Sequence, residues 1–156
     1  MSAGTAGWRE VLDADGGAYT LHEHTAAHTV AERQTLPFPW SRAVKTLAFT
    51  APNVPLLLVA LWASDRVDFN RLSDAIGVRR ADVRTAGTAL LGTEGLVPGG
   101  IAPVSHRPGV PILIDTAVIN CRHPVFCGAG SADRTLQIQA DVLARLPRAR
   151  VVQVRR

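Results

Sequence analysis

Lysine is nearly absent from this chain: every one of its 17 basic residues is arginine except Lys45. Cysteine is almost as scarce, and the two thiols, Cys121 and Cys127, stand at a spacing that suits neither a disulfide framework nor a zinc motif. Aromatic residues make up 5% of the sequence, too few for an extended platform on which single-stranded nucleic acid would stack. The longest apolar run, Val54 to Ala63, contains Pro55 and is too short to span a bilayer, so no membrane association is expected. The first residues show no basic region followed by an apolar stretch, hence no secretory signal, and the expected location is the cytoplasm. Nucleotide fingerprints of the Gly-x-Gly-x-x-Gly and P-loop types are missing, as is the Gly-x-Ser-x-Gly elbow of serine hydrolases.

What is present is enough for one domain. At 156 residues and 47% hydrophobic content, the chain can bury a core over residues 1–156, with 1–17 as a helical N-terminal extension. A formal net charge of +4 favours a polyanionic partner, although such an excess also fits plain solubility.

Periodicity orders the elements. A short helix is expected over 8–12, a strand over 18–22, and a helix over 29–35, where Thr29 and Glu32 have capping-box spacing. Ala43 to Thr50 and Leu56 to Ala63 read as two strands of a hairpin turning at Pro52-Asn53. Asp68 caps a helix with Phe69, Leu72, Ala75 and Ile76 on one face, closed by Gly77. A second short helix is expected over 86–91. Strands follow at 112–115, 125–127 and 135–138, then a helix over 140–146 and a last strand over 151–154.

Two features carry chemistry. Alternation along the first hairpin strand puts Lys45 on a face with Ala43, Leu47 and Phe49, the more apolar of the two. An ammonium there must reach an anion, a pocket or the rim of the sheet, because an unpaired buried charge is costly. The alternative is a strand-end lysine that snorkels to water. The second feature is the loop Val97-Pro98-Gly99-Gly100-Ile101-Ala102-Pro103, whose missing side chains let backbone N–H groups approach a ligand; an ordinary surface turn has the same composition.

The Lys45-Thr46-Leu47 strand, the helix from Val67-Asp68-Phe69 to Ile76-Gly77, the Gly99–Pro103 loop and the following Val110 to Asp115 run, in that order, resemble the prolyl-tRNA synthetase-associated editing-domain family, YbaK/EbsC. The resemblance extends from about Tyr19 to Leu146. It implies a mixed α/β fold, with a curved, mostly antiparallel, partly barrel-like central sheet flanked by helices. It also implies a deacylase that hydrolyses the ester of a mischarged tRNA, needs no cofactor and works alone or beside a synthetase. By the same resemblance Lys45 acts at the 3′ end of the tRNA, and Gly99, Gly100, Ile101, Ala102 and Pro103 lie near the scissile ester. Asp115 matches an aspartate common in the family. Around His123 the chain departs from members acting on alanyl esters, continuing as Cys127-Gly128-Ala129-Gly130 where they often carry Asn and Thr.

On this reading Thr29, Thr46, Leu47, Asp115 and His123 are the expected substrate-binding residues, Thr29, Leu47 and His123 as walls of the amino-acid pocket beside Ile101. The amides of Gly100 to Ala102 position the carbonyl or the water. Arg79, Arg80 and Arg84 are candidates for phosphate contacts along a tRNA acceptor stem, with a solvated face as the alternative. His22, His24 and His28 invite a metal, but zinc needs three or four convergent ligands and no matching second pair follows, so none is expected. A non-catalytic module that binds tRNA or a synthetase, and a hydrolase or transferase of a non-tRNA aminoacyl group, are the alternatives.

Overall fold

The computed structural model describes residues 3–156; the first two, part of the segment read as lacking a secretory signal, lie outside the described residues. Helix α1 (Ala3–Asp15) runs beyond the expected span on both sides and leads into strand β1 (Tyr19–Glu23). Helix α2 (Val30–Gln34) has the expected capping box, with the Thr29 hydroxyl accepting from Glu32 N–H and the Glu32 carboxylate accepting from Thr29 N–H. A single 3-10 turn, Trp40–Arg42, then enters the hairpin of β2 (Val44–Ala51) and β3 (Val54–Trp62), which turns through Asn53 at φ 63°.

Helix α3 (Phe69–Ile76) begins at an Asp68 side chain that accepts from Asn70 and Arg71 N–H, and ends at Gly77 in the left-handed conformation. The arginine segment forms a 3-10 turn and the short strand β4 (Arg84–Thr85), and α4 (Thr88–Glu94) starts two residues later than its periodicity suggests. Then come β5 (Ile112–Ile114), α5 (Thr116–Ile119), β6 (Val125–Gly128), β7 (Arg134–Ile138), α6 (Ala140–Arg145) and β8 (Ala149–Val151). The last strand lies earlier than the expected 151–154, because pairing with β5, not the run of valines, sets its register.

The class is mixed α/β as expected, but the strands divide between two sheets that do not close into a barrel. One has the order β1-β7-β6 and is antiparallel; the other has the order β4-β2-β3-β5-β8, with β3–β5 and β5–β8 parallel. Strand β3 is the centre of the molecule. Leu56, Leu58 and Ala60 on one face join Val125, Cys127, Leu136 and Ile138 of the other sheet in one core. Leu57, Val59 and Leu61 on the opposite face pack with Leu72 of α3 and Val154 in a second core. A strand buried on both faces explains its unbroken apolar run.

The same division corrects the reading of β2. Its more deeply buried face carries Val44, Thr46 and Ala48, turned to the second sheet, whereas Lys45 and Leu47 are half-buried. Among the described residues no helix is long and apolar enough to cross a membrane.

Candidate active site

A cavity of about 200 Å³ opens where the start of β2 meets β6. Residue 43 bridges to residue 126 there, while β4 covers only the far end of β2, at Phe49 and Thr50. Ala63 N–H donates to Ala43 O and Ala86 N–H donates to Ala48 O. Alternation therefore turns the Thr46 backbone groups away from β3, onto a length of strand edge that β4 leaves uncovered. The Thr46 hydroxyl is buried and has no partner among the described residues.

Lys45 lines this cavity beside Ala63, and its ammonium donates to the Asp65 carbonyl in the turn after β3. An ammonium has three donors, so this contact orients the group and leaves capacity for a ligand. Burial pushes the Lys45 pKa below the usual lysine range; the Asp65 carboxylate opposes that effect and Arg66 adds to it.

The glycine loop meets Lys45 across the same space: Gly99, Gly100 and Ile101 line it. Gly99 has φ +80°, and a Cβ there would stand 2.0 Å from the Arg33 guanidinium. Gly128 of β6 allows the loop to lie flat against the sheet, since a Cβ at that position would meet Ile101 O at 2.4 Å and Gly100 C at 2.7 Å. Gly100 N–H donates to Val97 O and Gly100 O accepts from Gly130 N–H. The Gly100 amide is thus spent on the turn, contrary to its expected part in holding a carbonyl. Ala102 and Pro103 do not line the cavity. Ala102 faces a rear void of about 10 Å³ shared with Trp8 and His106.

Several expected binding residues stand elsewhere. Thr29 is exposed and occupied as the cap of α2, and His123 is exposed outside the cavity. Asp115 is fully buried as the cap of α5, accepting from Ala117, Val154 and Arg155 N–H and from the Arg155 guanidinium. Burial alone would raise its pKa, but these donors hold the carboxyl below the usual range. Asp115 fastens the C-terminal segment and does not face the cavity. Arg84 pairs along the far end of β2, Arg79 is bound to Asp82, and Arg80 lies over Phe69.

The walls actually present are Phe38, Trp40 and Phe126, with Phe38 and Phe126 stacked at 5.0 Å and Arg42 over the Phe126 ring. Leu36, Leu47 and Cys127 complete the apolar side. Cys127 is no nucleophile, since burial pushes its thiol far up. His22 and His24, once metal candidates, bond to Gln137 and Thr135. Among the lining residues there is no carboxylate, whereas Arg33, Lys45 and Arg134 are all there.

An aminoacyl-tRNA editing domain model matches residues 24–146. The chain belongs to the aminoacyl-tRNA editing domain family. The motifs in the sequence pointed to this family, and α1 lies outside the matched residues. Among solved structures, the hypothetical protein APE2540 is 24% identical, with 96% of this chain and 99% of that one covered at a TM-score of 0.83. A candidate trans-editing enzyme for prolyl tRNA synthetase is 21% identical, with 100% and 99% covered at 0.80. An epitope-presenting designed scaffold is 20% identical, with 100% and 99% covered at 0.79. These likenesses show the editing-domain fold. No curated protein matches the chain.

Proposed function

We propose that this editing domain is an aminoacyl-tRNA deacylase that acts in trans, hydrolysing the ester of a tRNA mischarged with a small amino acid, tRNA-Pro being the first candidate. The observation that carries the reading is the shared cavity: Lys45 and the Gly99–Ile101 loop border one space that holds cations and no carboxylate. Support comes also from membership of the family and from the fold shared with a candidate trans-editing enzyme.

An aminoacyl ester is already activated, so hydrolysis needs a placed water and a stabilised oxyanion more than a strong nucleophile. Lys45 holds the terminal phosphate of the tRNA. The Ile101 amide, which makes no backbone hydrogen bond among the described residues, donates to the ester carbonyl in place of the committed Gly100 amide. Proton transfer falls to the vicinal ribose hydroxyl of the substrate, because the cavity has no carboxylate, its thiol is protonated, and both ring nitrogens of its His24 are engaged by Thr25 O and the Thr135 hydroxyl. The cavity is smaller than the roughly 300–1,000 Å³ clefts that enclose drug-sized ligands, a fit for an acyl group and part of its ribose. A hydrolytic sieve of this size answers a need: one methylene discriminates by only about 1–3 kcal/mol in a synthetic pocket.

The test is ester loss from a panel of alanyl-, cysteinyl-, seryl- and threonyl-tRNA. At least one ester should be cleaved, and Lys45→Ala should lower that rate by roughly a hundredfold or more, the scale of one electrostatic contact to the transition state. Lys45→Arg should not restore it, because a planar fork cannot reproduce a compact charge held by one carbonyl. Unchanged turnover in Lys45→Ala would remove Lys45 from the mechanism.

A further inference from the structure

The rim of the cavity across the glycine loop from the hairpin carries two guanidinium groups that the hydrolysis described above does not use. Arg33 extends from α2 over Gly99, with long bonds to Ala27 O and His28 O, both at 3.4 Å. Ala27 N–H in turn donates to Ala132 O, and Gly100 packs on the Ser131 backbone. Arg134 opens the adjoining strand β7. One continuous rim thus runs from Arg33 through residues 131–132 to Arg134.

Neither guanidinium has a carboxylate within salt-bridge distance among the described residues. The contrast with other arginines of the chain is marked: Arg79, Arg107, Arg145 and Arg155 each hold an acid. The acid nearest in sequence, Asp133, accepts from the Ser131 hydroxyl; its pKa is lowered chiefly by that bond and only in smaller part by the Arg134 charge, with which it makes no ion pair. Arg134 has its planar donor fork unfilled and Arg33 keeps Nη1 beside its two long backbone bonds, and free guanidinium donors beside a cavity without acids match phosphate oxygens.

The geometry points to a second anion subsite: Arg33 and Arg134 bind the phosphodiester one nucleotide inward from the phosphate held by Lys45. The inference rests on the proposed placement of a nucleotide end at Lys45 and adds to it. It makes the ligand a polynucleotide end with two consecutive phosphates, which separates an ester on tRNA from one on a small molecule with a single phosphate.

Binding of a deacylated RNA tests this without any hydrolysis. The probe is a 5′-labelled seven-nucleotide RNA ending in CCA, followed by fluorescence anisotropy over a range of salt concentrations. Arg33→Gln and Arg134→Gln should each weaken binding, the pair together roughly tenfold. The pair should also lower the slope of log K against log salt by about 0.7, the value for one phosphate on a single strand. Replacing the penultimate phosphodiester by a neutral methylphosphonate should weaken wild-type binding equally and leave the double variant unaffected.

Loss of affinity with the wild-type salt slope, or equal sensitivity of wild type and double variant to the neutral linkage, would overturn the subsite. Arg33 also braces the 27–28 backbone, whereas no hydrogen bond of the Arg134 side chain ties it to another segment among the described residues, so Arg134→Gln keeps the test clear of misfolding. RNA binding without ester cleavage would count against the deacylase alone; ester cleavage with an unchanged salt slope would count against the subsite alone.

Discussion

Lys45 and Asp115 are both charged residues at the ends of strands that flank β3 in one sheet, yet their surroundings are opposite. Asp115 is fully buried and its two oxygens accept from three backbone N–H groups and a guanidinium. Lys45 is half-buried and meets one carbonyl, next to an unpartnered Thr46 hydroxyl and the unpaired Arg33 and Arg134. A charge whose partners are all supplied by the chain holds the chain together. A charge left with spare donors in a cavity is available to something else.

The largest effect expected from this contrast is on stability. Asp115→Ala strips the acceptor from the C-terminal segment and leaves the Arg155 guanidinium and the N–H groups of Val154 and Arg155 without it. Breaking a buried pair of this kind costs about 3–5 kcal/mol. Urea unfolding measures the loss, and ester cleavage per folded molecule should stay at the wild-type level. A variant as stable as wild type but unable to cleave the ester would reverse the assignment and put Asp115 with the chemistry.

A second acidic group held by its neighbours, Glu94, lies behind the loop. Glu94 accepts from the Arg107 guanidinium at 2.7 and 2.9 Å and from His106 Nε2 at 2.8 Å. The Arg107 bond first, and His106 with it, hold the Glu94 carboxyl at about 2. A folded pKa below the ordinary glutamate value of 4.5 means that this stability is present above pH 4.5 and disappears as pH falls toward 2. One pKa unit corresponds to about 1.4 kcal/mol, so the contribution is on the order of 2–3 kcal/mol, lessened by the exposure of Arg107. Acid unfolding followed by circular dichroism should show Glu94→Gln with a flatter loss of stability over this window. Equal pH slopes in the two proteins would show that the cluster adds nothing to the fold.

Local signals in the sequence were legible, and long-range ones were not. The capping box at Thr29 and Glu32, the turn at Pro52-Asn53 and the Asp68 cap each depend on residues within a few positions of one another. The family motifs located Lys45 and the glycine loop. Thr29 and His123, expected as walls, and Asp115, expected to bind substrate, lie outside the cavity, because which side chain reaches a cavity depends on where a second sheet packs, and no spacing encodes that. The same reason hid the more buried face of β2. Arg33 carried a faint signal as a basic residue in a capped helix, but its contact with Gly99 joins segments about sixty residues apart in sequence. Gly128 was visible only as part of a departure from other members of the family.

Gly128 gives the smallest effect on stability and the sharpest view of the boundary between the two regions. Its backbone conformation suits any residue, so the whole cost of Gly128→Ala comes from the Cβ, which would meet Ile101 O and the Gly100 backbone, not the tip of a flexible side chain. Either β6 or the loop must shift by several tenths of an ångström, at about 1–3 kcal/mol for an overpacked site. The bonds that saturate Asp115 and Glu94 lie outside this contact and should survive the substitution. The Ile101 amide proposed to hold the ester carbonyl should not keep its place, and oxyanion donors lose their effect when displaced by so little. Thermal unfolding should therefore change by a few degrees while kcat for the cleaved ester falls at least tenfold with little change in KM. A variant that loses stability yet keeps kcat would show that the loop is packing, with the cavity serving only to bind.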